Sequence, residues 1–91
     1  MRAPKRDRNE PEVIAALEAR GCEVEQILQG DGAFDLIVWS PARGLFWLEV
    51  KDGTDKRLTP KQEVWTAKWK HMPREVAHSA EMAVRRAGLT W

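Results

Sequence analysis

Phe34-Asp35-Leu36-Ile37-Val38-Trp39-Ser40-Pro41-Ala42-Arg43-Gly44-Leu45-Phe46-Trp47-Leu48-Glu49-Val50-Lys51 reads as two strands and the turn between them. Phe34 to Trp39 and Leu45 to Lys51 are apolar on both pleat faces, as strands in the middle of a sheet are. Ser40-Pro41-Ala42-Arg43-Gly44 has the chemistry of a turn, with the φ angle of Pro preset and Gly able to take positive φ. The pair is therefore expected as an antiparallel hairpin. Side chains alternate along a strand, so Leu45, Trp47, Glu49 and Lys51 share one face and Phe46, Leu48 and Val50 the other. Asp35, Ile37 and Trp39 share a face of the preceding strand, and the turn sets Asp35 roughly opposite Glu49 to Lys51. Two carboxylates and an ammonium converge at one end of the hairpin.

Upstream, Val13, Ile14, Leu17 and Gly21 fall at helical spacing, with Gly21 a natural stop. Asn9 is expected to cap this helix, with Pro11 tolerated in the first turn and Glu12 completing a capping box, so that it spans about Asn9 to Arg20. Cys22 to Leu28 reads as an edge-like strand followed by the loop Gln29-Gly30-Asp31-Gly32. Downstream of the hairpin, Asp52 to Lys56 is a polar loop. Thr59, Pro60 and Gln62 then open a second helix as cap, first helical residue and capping-box partner, with Trp65 and Trp69 four apart on its buried face. A short strand, Glu75 to Ala77, and a last helix capped by Ser79 and running to about Ala87 complete the chain. The fold class is α/β, in the order helix, three strands, helix, strand, helix, with a mixed central sheet flanked by helices. Residues 9–91 form one domain behind an N-terminal arm, residues 1–8.

Five Trp and no Tyr give the chain a large aromatic payload for its 91 residues. Fifteen basic against fourteen acidic residues leave a formal net charge of +1, so overall charge makes no case for nucleic acid. The arm is different: Arg2, Lys5, Arg6 and Arg8 stand against Asp7 alone, which suits either phosphate neutralisation or a solubilising terminus. Cys22 is the only cysteine, which excludes an internal disulfide, and it reads as core. No apolar run approaches the 18 or so residues of a membrane span and no signal peptide is legible, so a soluble, cytoplasmic protein with no membrane partner is expected.

Two carboxylates at a half-buried strand end repel one another, and protonating one or holding a divalent cation relieves this. Oxygen ligands with no Cys or His nearby suit Mg2+ or Mn2+ rather than zinc. Such a cation makes a bound water more acidic and stabilises charge on a phosphodiester, while Lys51 can orient the water or the phosphate. Glu10 extends the stripe of Val13, Ile14 and Leu17 by one turn and is either a third acid or an acid whose tip reaches water. Glu12 points to the side of Ala15, Ala16 and Ala19.

Phe34-Asp35 and then Glu49-Val50-Lys51 after a strand, turn and strand resemble the signature of the PD-(D/E)XK nuclease superfamily. Asn9 to Gly21, Gly32-Ala33-Phe34-Asp35, Leu48 to Gly53 and Leu58-Thr59-Pro60-Lys61-Gln62 together are similar to the stand-alone, often phage-encoded virus-type replication-repair nuclease (VRR-NUC) domains, and the likeness covers nearly the whole chain. It implies a restriction-endonuclease-like core. It also implies that Asp35 and Glu49 bind the metal together with the backbone carbonyl of Val50, and that Lys51 stands beside the attacking water. Glu10 would match the helix-one acid of the related Holliday-junction-resolving nucleases, and Gln62 the glutamine that lines the site. Phe34 departs from the Pro usual before the first acid.

The expected function is a divalent-metal-dependent DNA endonuclease, acting as a homodimer on branched DNA such as junctions and flaps. The alternatives are a catalytically silent nucleic-acid-binding module and a subunit of a repair complex. His71 and His78 have no second ligand at suitable spacing. Trp65 and Trp69 read as core or dimer interface before base-stacking platforms. Arg85 and Arg86 are either last-turn cations or phosphate contacts.

Overall fold

A computed structural model describes residues 9–27, 34–51 and 60–91. Its elements are α1 (Glu10–Glu18), β1 (Glu23–Gln26), β2 (Leu36–Ser40), β3 (Gly44–Val50), α2 (Pro60–Lys68), β4 (Arg74–Ala77) and α3 (Ala80–Arg86). The strands form one mixed sheet in the order β1-β2-β3-β4, antiparallel except for the parallel pair β3 and β4. A parallel neighbour needs a crossover, and the segment that carries α2 provides it.

The central hairpin pairs Ser40 with Gly44 and Leu36 with Leu48. Gly44 holds φ at +91°, in the left-handed region that residues with a Cβ avoid. Ser40 is buried; its hydroxyl accepts from the N–H of Ala42 at 3.1 Å and donates to the carbonyl of Ala87 at 2.7 Å, tying the turn to the end of α3.

Alternation decides which face is covered by what. Leu36 and Val38 of β2 and Phe46, Leu48 and Val50 of β3 are buried in one cluster with Val13 and Leu17 of α1 and Ala83 and Val84 of α3. The other face meets α2: Trp65 stacks on Phe34 with ring centroids 5.5 Å apart and stands edge-on to Trp47 at 4.9 Å. Cys22 is core, as expected, and burial pushes its thiol pKa up against the opposing hydrogen bond with Ser40. Ser79 caps α3, its hydroxyl accepting from the N–H of Met82, and Gly21 takes φ +88° just beyond α1.

Several local expectations are corrected. The first helix is shorter than Asn9 to Arg20, and Asn9 makes no side-chain cap. Its amide instead donates to the carbonyls of Lys51 and His78, each at 3.0 Å. The first strand starts at Glu23, after Cys22, and Leu28 and the loop 29–32 lie outside the described residues. The second strand begins at Leu36 because Phe34 leaves the ladder to pack on Trp65. The last strand gains Arg74. Trp69 is 48% exposed, since it follows the end of α2 at Lys68 rather than lying on its buried face. Thr59, the loop 52–56 and the arm with Arg2, Lys5, Arg6 and Arg8 lie outside the described residues.

Candidate active site

At its C-terminal end β3 leaves the helix-covered core, and alternation turns Glu49 and Lys51 together toward α2. Gln62, from the first turn of α2, reaches into the same place. All three are buried, Glu49 at 2% exposure and Lys51 and Gln62 at 8%. They form a closed ring. The Gln62 Nε2 donates to Glu49 Oε1, the Lys51 Nζ donates to Gln62 Oε1 at 3.3 Å, and the same Nζ lies 3.7 Å from Glu49 Oε2.

The ring closes on a fixed backbone. The Lys51 N–H donates to the carbonyl of Ala77 at 2.9 Å, and the Lys51 carbonyl accepts from Asn9. Asp35 stands one residue beyond the last registered pair, Leu36 with Leu48, and so lies across from Glu49. Its Oδ2 accepts from the N–H of Val50 at 2.9 Å. A strand residue directs its N–H and C=O to the same neighbour, so the Val50 carbonyl faces the side on which Asp35 sits.

Burial sets the electrostatics. A carboxylate removed from water without a counter-charge costs several kcal/mol, and Glu49 is offset by the ammonium of Lys51 and the amide of Gln62. Glu10 is 1% exposed, at the same end of the sheet, where its Oε1 accepts from the Nε2 of Gln26 at 3.1 Å. Glu12 is exposed, as its helical position requires.

The hairpin therefore brings together Asp35, Glu49 and Lys51, and α2 adds Gln62. Asn9 and Gln26 were not among the expected site residues. Gln26 is exposed at the end of an edge strand and carried no local signal of its partner, which lies 16 positions earlier in the chain. His71 is exposed, and the carbonyl of His78 accepts from Asn9. Arg85 pairs with Glu81 one turn back at 3.0 Å, and Arg86 lies 4.0 Å from Glu75.

Among the described residues no group of three or more His, Cys, Asp or Glu side chains is placed to hold a metal ion. Asp35, Glu49 and the Val50 carbonyl nevertheless form a set of hard oxygen donors. That set fits Mg2+ or Mn2+, which keep several waters and take only one or two carboxylates. No described helix is long and apolar enough to cross a membrane. No family model, curated protein or solved structure matches the chain.

Proposed function

We propose that the chain is a divalent-metal-dependent endonuclease that hydrolyses DNA phosphodiester bonds, built on a restriction-endonuclease-like core. The observation that carries this reading is the buried ring of Glu49, Gln62 and Lys51 set beside Asp35. Stability alone does not call for it. Well-packed apolar residues of similar volume usually serve a buried contact as well as an ion pair does, or better. A polar ring held on fixed backbone suits chemistry instead.

Asp35, Glu49 and the Val50 carbonyl would hold the cation, which when bound supplies charge stabilisation to the phosphate and lowers the pKa of water. Lys51 orients the attacking water, or holds the phosphate, for in-line displacement. Gln62 fixes the Lys51 ammonium and the Glu49 carboxylate relative to one another. Glu10, held by Gln26, is the third acid at this end of the sheet and bounds the site from the side of α1.

The described residues offer no separate recognition element, so the enzyme reads DNA shape rather than sequence. A homodimer would present two such sites to a junction or flap, and the arm residues Arg2, Lys5, Arg6 and Arg8 would neutralise its phosphates. A DNA substrate of this kind, met in repair or phage replication, puts the work in the cytoplasm.

Titration calorimetry with Mg2+ and Mn2+ and a nicking assay on supercoiled DNA test the reading together. Asp35→Ala and Glu49→Ala are expected to abolish both metal binding and nicking. If both variants bind metal like the wild type, and the wild type never nicks DNA with Mn2+, the chain is a silent binding module.

A further inference from the structure

Among the described residues, α2 covers only half of the sheet face it meets. Trp47 and Glu49 lie under the helix, whereas Trp39 and Leu45, paired directly across β2 and β3, are 42% and 51% exposed. Ile37, opposite Trp47, extends this surface inward. Glu23 and Glu25 pair with Trp39 and Ile37 and so share their face, giving the recess an acidic rim. These five residues line a hollow of about 290 Å³.

The flank of α2 is its counterpart. Lys61, Val64 and Lys68 fall at helical spacings of three and four and form one stripe. Val64, between the two lysines, is 72% exposed. Trp69, 48% exposed, continues the apolar surface, with the Lys68 ammonium 5.8 Å from its ring. One molecule thus carries an apolar recess rimmed by carboxylates and, beside it on the same side of the sheet, an apolar ridge flanked by ammonium groups.

A helix stands about 10 Å above the sheet it covers, so a half-covered face is a step. We propose that a second copy of this chain completes the face: α2 of each molecule fills the recess of the other about a two-fold axis. The contact is isologous, each Lys61–Val64–Lys68 ridge meeting the partner's Glu23–Glu25 rim, so the interface closes at two copies. A formal net charge of +1 leaves little overall repulsion between them. The inference rests on the dimer within the proposed function, and its test reads association rather than cleavage, so the two can fail separately.

Charge reversal tests it by sedimentation equilibrium of the full chain at up to about 100 μM. Wild type is expected to be a dimer. Glu23→Lys with Glu25→Lys makes both contacts basic, and Lys61→Glu with Lys68→Glu makes both acidic. Each double variant should weaken association about tenfold or more, while circular dichroism confirms that these exposed changes leave the fold intact. Mixing the two double variants restores opposite charge at both contacts and should restore the dimer. A monomeric wild type, a dimer indifferent to both reversals, or a mixture that stays monomeric overturns the proposal. So does a monomer whose Lys61→Glu and Lys68→Glu changes only weaken DNA binding, because the ridge would then belong to nucleic acid.

Discussion

At the scale of single residues, the site depends on side chains that reach across the chain. Gln62 is the clearest case, because one carboxamide serves both Glu49 and Lys51. Gln62→Ala should leave both charged groups in place but unaligned, lowering metal affinity or cleavage about 10- to 100-fold, as loss of an outer partner of a metal ligand does. Cleavage rate against Mg2+ concentration measures it. Asn9 shows why a residue read alone can mislead. Asn before a helix usually caps it, but its amide partners lie 42 and 69 residues away in sequence. Such long-range partners outcompete a local rule and leave no local trace. Gln62 was ambiguous for the same reason, since the capping-box letter and the site letter are identical. Cys22 yields a pH prediction. Its thiol keeps its proton in the fold because burial disfavours the thiolate. Above about pH 8.5 the unfolded chain loses that proton while the folded chain retains it, so stability falls with rising pH. Urea unfolding from pH 7 to pH 10 should show this decline, and Cys22→Ala should flatten it.

Elements were more legible than residues wherever a period ran through them. The alternation of β3 fixes which of its residues meet the core and which meet α2, and a one-residue slip would exchange the faces. The pairing of Asp35 with the end of β3 followed from the same period and the length of the turn. What the hairpin stretch could not convey was where the ladder begins, because Phe34 is drawn off by Trp65, which lies 31 positions further along the chain. The turn itself depends on Gly44. A Cβ there would meet nothing within 4 Å, so the constraint is the positive φ alone. Gly44→Ala should therefore cost about 1 to 2 kcal/mol without repacking, read from the urea midpoint, and Gly44→Asn should cost less.

For the molecule as a whole, the parallel return of β4 beside β3 supports the site. It holds the Lys51 N–H through Ala77 while Asn9, at the start of α1, holds the Lys51 carbonyl. That arrangement joins residues from distant parts of the chain and was not legible from any one of them. The arm acts at this scale too: a chain lacking residues 1–8 should bind DNA more weakly and with a shallower dependence on salt, since each phosphate left without its cation reduces the slope by about 0.9. Fluorescence anisotropy across a salt series checks this. Whether Asp35, Glu49 and Lys51 form a nuclease site is decided by cleavage of labelled linear, flapped and four-way DNA with Mg2+ or Mn2+, comparing wild type with Lys51→Ala. Wild type is expected to cut the branched substrates in preference to the linear one, and Lys51→Ala to be slower by about 100-fold or more. A wild type that cuts none of them with either metal, or a Lys51→Ala that cuts as fast, would contradict the nuclease reading.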